Sequence, residues 1–237
     1  MKIEVRVSIQ RFSDRRDAGR RLARALTRYL DQDVIVLALP RGGVPVGFEV
    51  ARALGAPLYP FMVRKLGLPA FPELAMGAIA SGGIRVMNDI VVREARIGPS
   101  VVEAVVEREE RELARREAAY DGRHQLPDLR GRSVILVDDG VATGASIAVA
   151  AAAVRAKRPH RLVVAVPVAP PGTVYALQDV ADDVVTVLTP ASFQGVGEWY
   201  MDFHQTTDGE VRELLSEAWP EPPAVPAGAR GAVDEEC

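Results

Sequence analysis

The sequence predicts an α/β fold, a mostly parallel central sheet with helices on both faces, and two observations carry that expectation. Five short apolar runs recur, at residues 34–39, 58–63, 133–137, 162–168 and 183–188, largely unbroken rather than alternating with polar residues. Such runs read as strands buried on both faces, the condition a parallel sheet imposes. Helical segments follow several of them, and the repeated order of strand, loop and helix builds parallel crossover units.

The elements follow in chain order. Ile3, Val5, Val7 and Ile9 alternate with Glu4, Arg6, Ser8 and Gln10, the pattern of a short edge strand and unlike a secretory leader. Ala18, Leu22, Ala25, Leu26, Tyr29 and Leu30 recur at helical spacing, with Ser13 and Asp14 available as N-caps, so a helix is expected over 13–30. The run at 34–39 ends in Pro40-Arg41-Gly42-Gly43, a tight loop, and a helix is expected from 44 to 54. Residues 66–92 break this rhythm: a Gly- and Pro-containing start, then strand-like runs at 75–80 and 84–86 around a hairpin turn at Ser81-Gly82-Gly83. After Pro99 a long charged helix runs through Val102, Val106, Leu113 and Tyr120, its charges read as a solvated face. Beyond Trp219 the chain turns to Pro, Ala, Gly and acid, a composition too poor in apolar surface to offset the entropy of ordering. Residues 1–219 are therefore expected to form one domain and 220–237 a disordered tail.

Composition narrows the function. With 29 basic against 32 acidic residues, no general attraction to polyanions is expected, so nucleic acid is not a predicted partner and any phosphate chemistry needs a local site. Cys237 is the only cysteine, which excludes an internal disulfide and a Cys-rich zinc centre. No segment approaches the ~20 consecutive apolar residues of a membrane-spanning helix. A cytoplasmic protein without a membrane partner is expected.

The chemistry concentrates in Val134-Ile135-Leu136-Val137-Asp138-Asp139-Gly140-Val141-Ala142-Thr143-Gly144-Ala145-Ser146. Four apolar residues bring a buried strand to the carboxyl edge of the sheet, where open α/β sheets place their ligands. A Gly-bounded loop then enters a helix near Ala145, so backbone N–H groups converge with the positive end of the helix, a phosphate cradle. Thr143 and Ser146 add hydroxyl donors. Asp138 and Asp139 would repel a bare phosphate, yet they suit the vicinal hydroxyls of a ribose. An isolated Asp-Asp-Gly often does no more than end a strand and cap a loop. A P-loop would need Lys where Ala145 stands, and no Gly-x-Gly-x-x-Gly is present.

This phrase resembles the phosphoribosyl-pyrophosphate motif of the type I phosphoribosyltransferases, and the run from Pro40 through Pro69 and Glu73 is similar to that of the uncharacterised predicted members. The resemblance spans about residues 12 to 212. It implies that Asp138 and Asp139 hold the ribose 2′- and 3′-hydroxyls. It also implies that Ala142, Thr143, Gly144, Ala145 and Ser146 hold the 5′-phosphate, and that Arg41, Gly42 and Gly43 bind pyrophosphate. Arg64 and Lys65 match the basic residues of a mobile loop that reaches the leaving group and excludes water, a catalytic role within a hairpin at about 64–92. Phe193, Trp199 and Tyr200 fall in a carboxyl-terminal hood at about 189–210 over the acceptor, although core packing also explains aromatics there. The implied reaction is Mg²⁺-dependent transfer of the phosphoribosyl group to a nitrogenous acceptor, the ion riding mainly on the pyrophosphate and no dedicated protein metal ligand being assigned. Ala142 stands where the oxopurine-specific members carry an acid, which disfavours an oxopurine acceptor. A homodimer is usual among such proteins. The alternative is a non-catalytic regulator that senses phosphoribosyl pyrophosphate.

Overall fold

The computed structural model describes residues 11–72, 74–120 and 126–219. The expected edge strand at 1–10, the tail at 220–237 and Glu73 lie outside the described residues. Five strands, β1 (Val34–Ala38), β2 (Leu58–Pro60), β6 (Ser133–Val137), β7 (Arg161–Val168) and β8 (Asp183–Leu188), make a parallel sheet in the order β2-β1-β6-β7-β8. Alternation along each strand divides the core in two. Ile35, Leu37, Val134, Leu136, Leu162 and Val164 pack on one face with α5 (Ala145–Ala156) and α6 (Pro171–Leu177). Val36, Ala38, Ile135, Val137, Val163 and Ala165 pack on the other with α1 (Arg15–Ala25), α2 (Gly43–Leu54) and α7 (Asp208–Ala218). Burial on both faces is why these strands carry no polar alternation. Each large aliphatic side chain so enclosed contributes about 1.5–3 kcal/mol.

The local stops are chemical. Asp14 caps α1, its carboxylate accepting the Asp17 N–H at 2.7 Å. Gly55 closes α2 in the left-handed conformation, at φ 61°. Thr207 and Glu210 form a reciprocal capping box at the start of α7.

One expected strand is two. The apolar pattern predicts a single run at 58–63, but β2 ends at Pro60 and a second sheet begins at β3 (Val63–Gly67), running antiparallel to β4 (Ala75–Ala80), which pairs with β5 (Ile84–Met87). The partner strand β1 has ended at Ala38, whose carbonyl accepts the Phe61 N–H. Ser81 then claims Met62: its hydroxyl accepts the Met62 N–H at 2.9 Å, and its own N–H donates to the Met62 carbonyl at 2.9 Å. That clasp turns the chain into the antiparallel sheet. The expected turn at 81–83 is present, with Gly82 and Gly83 both at positive φ. A short helix that the sequence does not predict, α3 (Asp89–Glu94), precedes α4 (Pro99–Ala118), which covers the small sheet.

Candidate ribose-phosphate site

Strands β1 and β6 are neighbours, and the loops after them lead to helices on opposite faces of the sheet, α2 and α5, the switch point at which open α/β sheets form their crevice. The loops after β1 and β6 sit side by side there, the Leu39 N–H donating to the Val137 carbonyl at 2.9 Å. A cavity of about 610 Å³ opens over them, and Arg41, Arg64, Asp138 and Ser146 all line it. These residues come from three separate segments of the sequence.

The two loops are packed closely against each other. A Cβ at Gly42 would lie 2.1 Å from Asp139 Oδ2, and one at Gly43 would lie 2.8 Å from the Val137 carbonyl oxygen. Glycine at both positions therefore lets one loop approach the other. The Pro40–Arg41 peptide is cis. In the second loop Gly144 takes φ 81°, and it precedes α5 without a side-chain cap. The first hydrogen bond of the helix is from Ala148 N–H to the Gly144 carbonyl, so the N–H groups of 145–147 have no intrahelical acceptor. Thr143 and Ser146 are exposed beside them. Thr173 of α6 steadies the loop, its hydroxyl donating to the Ala142 carbonyl at 2.6 Å.

The two acids have different surroundings. Asp138 is half-buried on the cavity wall, and its Oδ1 accepts the Asp139 N–H at 2.8 Å. Burial, and next the neighbouring Asp139 charge, push its carboxyl well above the usual carboxylate range. Asp139 is not among the residues lining that cavity, and its Oδ2 is taken by an ion pair with Arg15 Nε at 2.7 Å. Burial raises its carboxyl as well, against the pull of Arg15.

The basic residues separate by strand alternation. Arg64 and Lys65 fall within β3, on opposite faces, and only Arg64 lines the cavity, while Lys65 is exposed elsewhere. Arg64 Nε donates to Glu109 of α4 at 2.6 Å, with Glu112 a further 3.8 Å partner. Both basic residues thus stand in an ordered sheet rather than in the irregular loop expected at this point. Arg115 and Arg116, from the last turn of α4, also line the cavity and share Glu112. Tyr120 completes that wall, its hydroxyl donating to Asp208 at 2.8 Å; burial, then Asp208, push its phenol up to about 12. The sequence pattern makes the α4 charges a solvated face, and a helical stripe alone gives no sign that its last turn meets another segment.

The aromatic cluster stands apart from this cavity. Phe193 and Trp199 stack on each other, with centroids 6.4 Å apart, and with Val187, Leu188 and Val196 they pack against a buried cluster of Phe12, Ala18, Val168 and Tyr200. Tyr200 is only 4% exposed; its ring meets Phe12 and Phe203, and its hydroxyl donates to the Asp139 carbonyl. A ring so enclosed offers no face to an acceptor, which corrects the expectation that Tyr200 forms part of a stacking hood.

The phosphoribosyl transferase domain family matches residues 8–201. A Mycobacterium tuberculosis protein provisionally named a phosphoribosyl transferase is 47% identical over 208 residues, covering 87% of this chain and 47% of that protein. This chain thus spans about half the length of the curated relatives it matches. The crystal structure of TT1426 from Thermus thermophilus superposes with a TM-score of 0.79 at 44% identity, covering 87% of this chain and 98% of that one. By the reach of the domain match, and by identity over most of its length to a relative, this chain belongs to the phosphoribosyl transferase domain family.

Proposed function

We propose that the cavity at the β1–β6 switch point binds 5-phosphoribosyl-1-pyrophosphate and that the protein transfers the phosphoribosyl group to a nitrogenous acceptor. The observation that carries this reading is the meeting of Arg41, Arg64, Asp138 and Ser146 at one cavity, over two closely packed loops. Each end of the ligand finds its complement. The α5 N-terminus, with Thr143 and Ser146, receives the 5′-phosphate; Asp138, from the cavity wall, and Asp139, through the carboxylate oxygen that Arg15 does not take, accept hydrogen bonds from the ribose hydroxyls; Arg41 and the glycine loop receive pyrophosphate.

Transfer needs no covalent enzyme intermediate. The bond from C1 to pyrophosphate breaks with its electron pair leaving on oxygen, while the acceptor nitrogen donates its lone pair to the opposite face of C1 and gives up its proton to water. The protein's contribution is positioning and neutralisation of the leaving group by Arg41 and Arg64, and Lys65, on the opposite face of β3, joins them only if the strand rotates as the β3–β4 hairpin closes. Mg²⁺ carried on pyrophosphate oxygens would supply further charge; such an ion keeps several waters and needs no protein cage. Ala142 offers no carboxylate beside the acceptor position, which favours an acceptor other than an oxopurine.

Pyrophosphate release across a panel of purine and pyrimidine bases tests the proposal, and release with one base names the acceptor. Lys65→Ala is expected to slow that release more than it weakens ribose-phosphate affinity, measured by turnover and calorimetry on the same sample. Equal losses would remove Lys65 from a closing role. The engagement of Arg64 by Glu109 and Glu112 favours one other reading, a sensor that binds the ligand without transferring it. Binding without release of pyrophosphate for any base would support the sensor.

A further inference from the structure

Arg15, the first residue of α1, is 124 positions from the acidic loop in sequence and only 9% exposed. Its guanidinium is held on three sides. Nε donates to Asp139 Oδ2 at 2.7 Å, Nη1 donates to the His204 carbonyl at 2.6 Å, and the Phe203 ring centroid lies 4.0 Å from Cζ. The surrounding backbone is laced to match. Phe12 N–H donates to the Trp199 carbonyl, Met201 N–H to the Phe12 carbonyl, and Asp202 N–H to the Ser13 carbonyl. The segment before α1 and the segment after β8 therefore form one brace, and Arg15 is the part of it that touches the Asp-Asp loop with charge. Tyr200 touches the same loop from the same brace through the Asp139 carbonyl.

We propose that Arg15 is a positioning residue for ligand binding, fixing the orientation and the ionised state of Asp139 from outside the ribose-phosphate loop. The inference rests on the reading of that loop as the ribose site. A buried carboxylate with no partner drifts toward its neutral form, and a neutral carboxyl is a poorer acceptor for ribose hydroxyls. The second acid makes this acute: Asp138 lies next to Asp139 in a low-dielectric wall, and among the described residues Arg15 is the cation directly bonded to the pair. Asp138 and Asp202 feel the charge of the same guanidinium, the Tyr200 hydroxyl lies near it and near Asp139, and Asp14, Asp202, His204 and Glu210 line a pocket together with Arg15. The brace gives the device a direction. Whatever moves the 199–204 segment also moves the His204 carbonyl, and with it the guanidinium that orients the ribose acid.

Calorimetric titration of phosphoribosyl pyrophosphate with Mg²⁺ into the wild type, Arg15→Met, Arg15→Lys, Asp139→Asn and the Arg15→Met/Asp139→Asn double variant tests the inference. The titrations are repeated between about pH 5.5 and 8.5, a range chosen to cross a raised carboxyl. Arg15→Met is expected to weaken binding at least about tenfold at neutral pH, the loss of one charge-assisted hydrogen bond to a ligand acid. Its affinity should also recover at higher pH than that of the wild type, because Asp139 has lost the charge that opposed its burial. Arg15→Lys should fall between the two. In the double variant the Arg15 change should add nothing to the loss from Asp139→Asn. Should Arg15→Met fail to fold, the double variant, which carries no unpaired buried carboxylate at 139, and Arg15→Lys decide the matter. Folded Arg15 variants with wild-type affinity and an unmoved pH profile, or an additive loss in the double variant, overturn the inference. A wild type that binds no ligand overturns the site assignment itself, and the positioning role falls with it.

Discussion

Asp138→Asn is expected to weaken phosphoribosyl-pyrophosphate binding at least about tenfold, from the ~1.5–3 kcal/mol of a hydrogen bond to a charged group, while raising the melting temperature of the ligand-free protein. Both effects come from one fact: the carboxylate is half-buried beside a second acid, in a wall that disfavours its charge. The folded state holds the Asp138 proton more tightly than the unfolded chain does. The resulting penalty is absent below the unfolded value of about 3.9, grows as pH rises through the elevated folded value, and is fully present above it. Asn carries no charge and escapes the penalty. Its stability advantage should therefore appear near neutral pH and vanish in acid, with about 2–4 °C in melting temperature for each kcal/mol. Thermal melts of both proteins at about pH 7.5 and about pH 4, alongside titration with ligand, read the trade of stability for a poised acceptor. A variant that melts lower at neutral pH would show that Asp138 is held by favourable contacts rather than strained by burial.

Gly42→Ala is expected to damage the site from the other loop. The new Cβ would fall 2.1 Å from Asp139 Oδ2 and 3.2 Å from Arg15 Nε, so the Gly42 loop must lift or the Arg15–Asp139 pair must shift. Forced overpacking of this kind costs about 1–3 kcal/mol. Melting temperature should fall by several degrees, and ligand affinity should fall with it, because both candidate phosphate loops move. Gly172→Ala is the control, since nothing lies within 4 Å of a Cβ at that position. Equal behaviour of the two variants would mean that the Gly42 loop yields without disturbing the acids.

The parallel sheet was legible because strands buried on both faces must be apolar at nearly every position, and 34–39 and 134–137 are wholly so. The Asp-Asp-Gly loop was legible for a related reason: polar residues at the end of such a strand stand out. The break between Pro60 and Val63 was not legible, since it depends on the end of β1 and on the Ser81 clasp, both set by tertiary pairing. Arg15 was invisible because an arginine in the first turn of an amphipathic helix reads as solvated, and only the fold brings Asp139 to it. Aromatic density marks the Phe193 to Phe203 region in the sequence, but density does not distinguish a stacking surface from a brace. Tyr200 is part of the brace, enclosed by Phe12 and Phe203. Arg115 and Arg116 repeat the lesson on α4, where charge pattern alone does not show which turn faces a cavity.

The most direct test of the central claim is calorimetric titration of phosphoribosyl pyrophosphate with Mg²⁺ into the wild-type protein, with ribose 5-phosphate and pyrophosphate titrated separately. Saturable one-site binding of the whole ligand, tighter than either fragment, is the result expected of a cavity that joins the Asp138–Ser146 loop to the Arg41 loop. No heat of binding from the whole ligand, in protein that melts cooperatively, would contradict it.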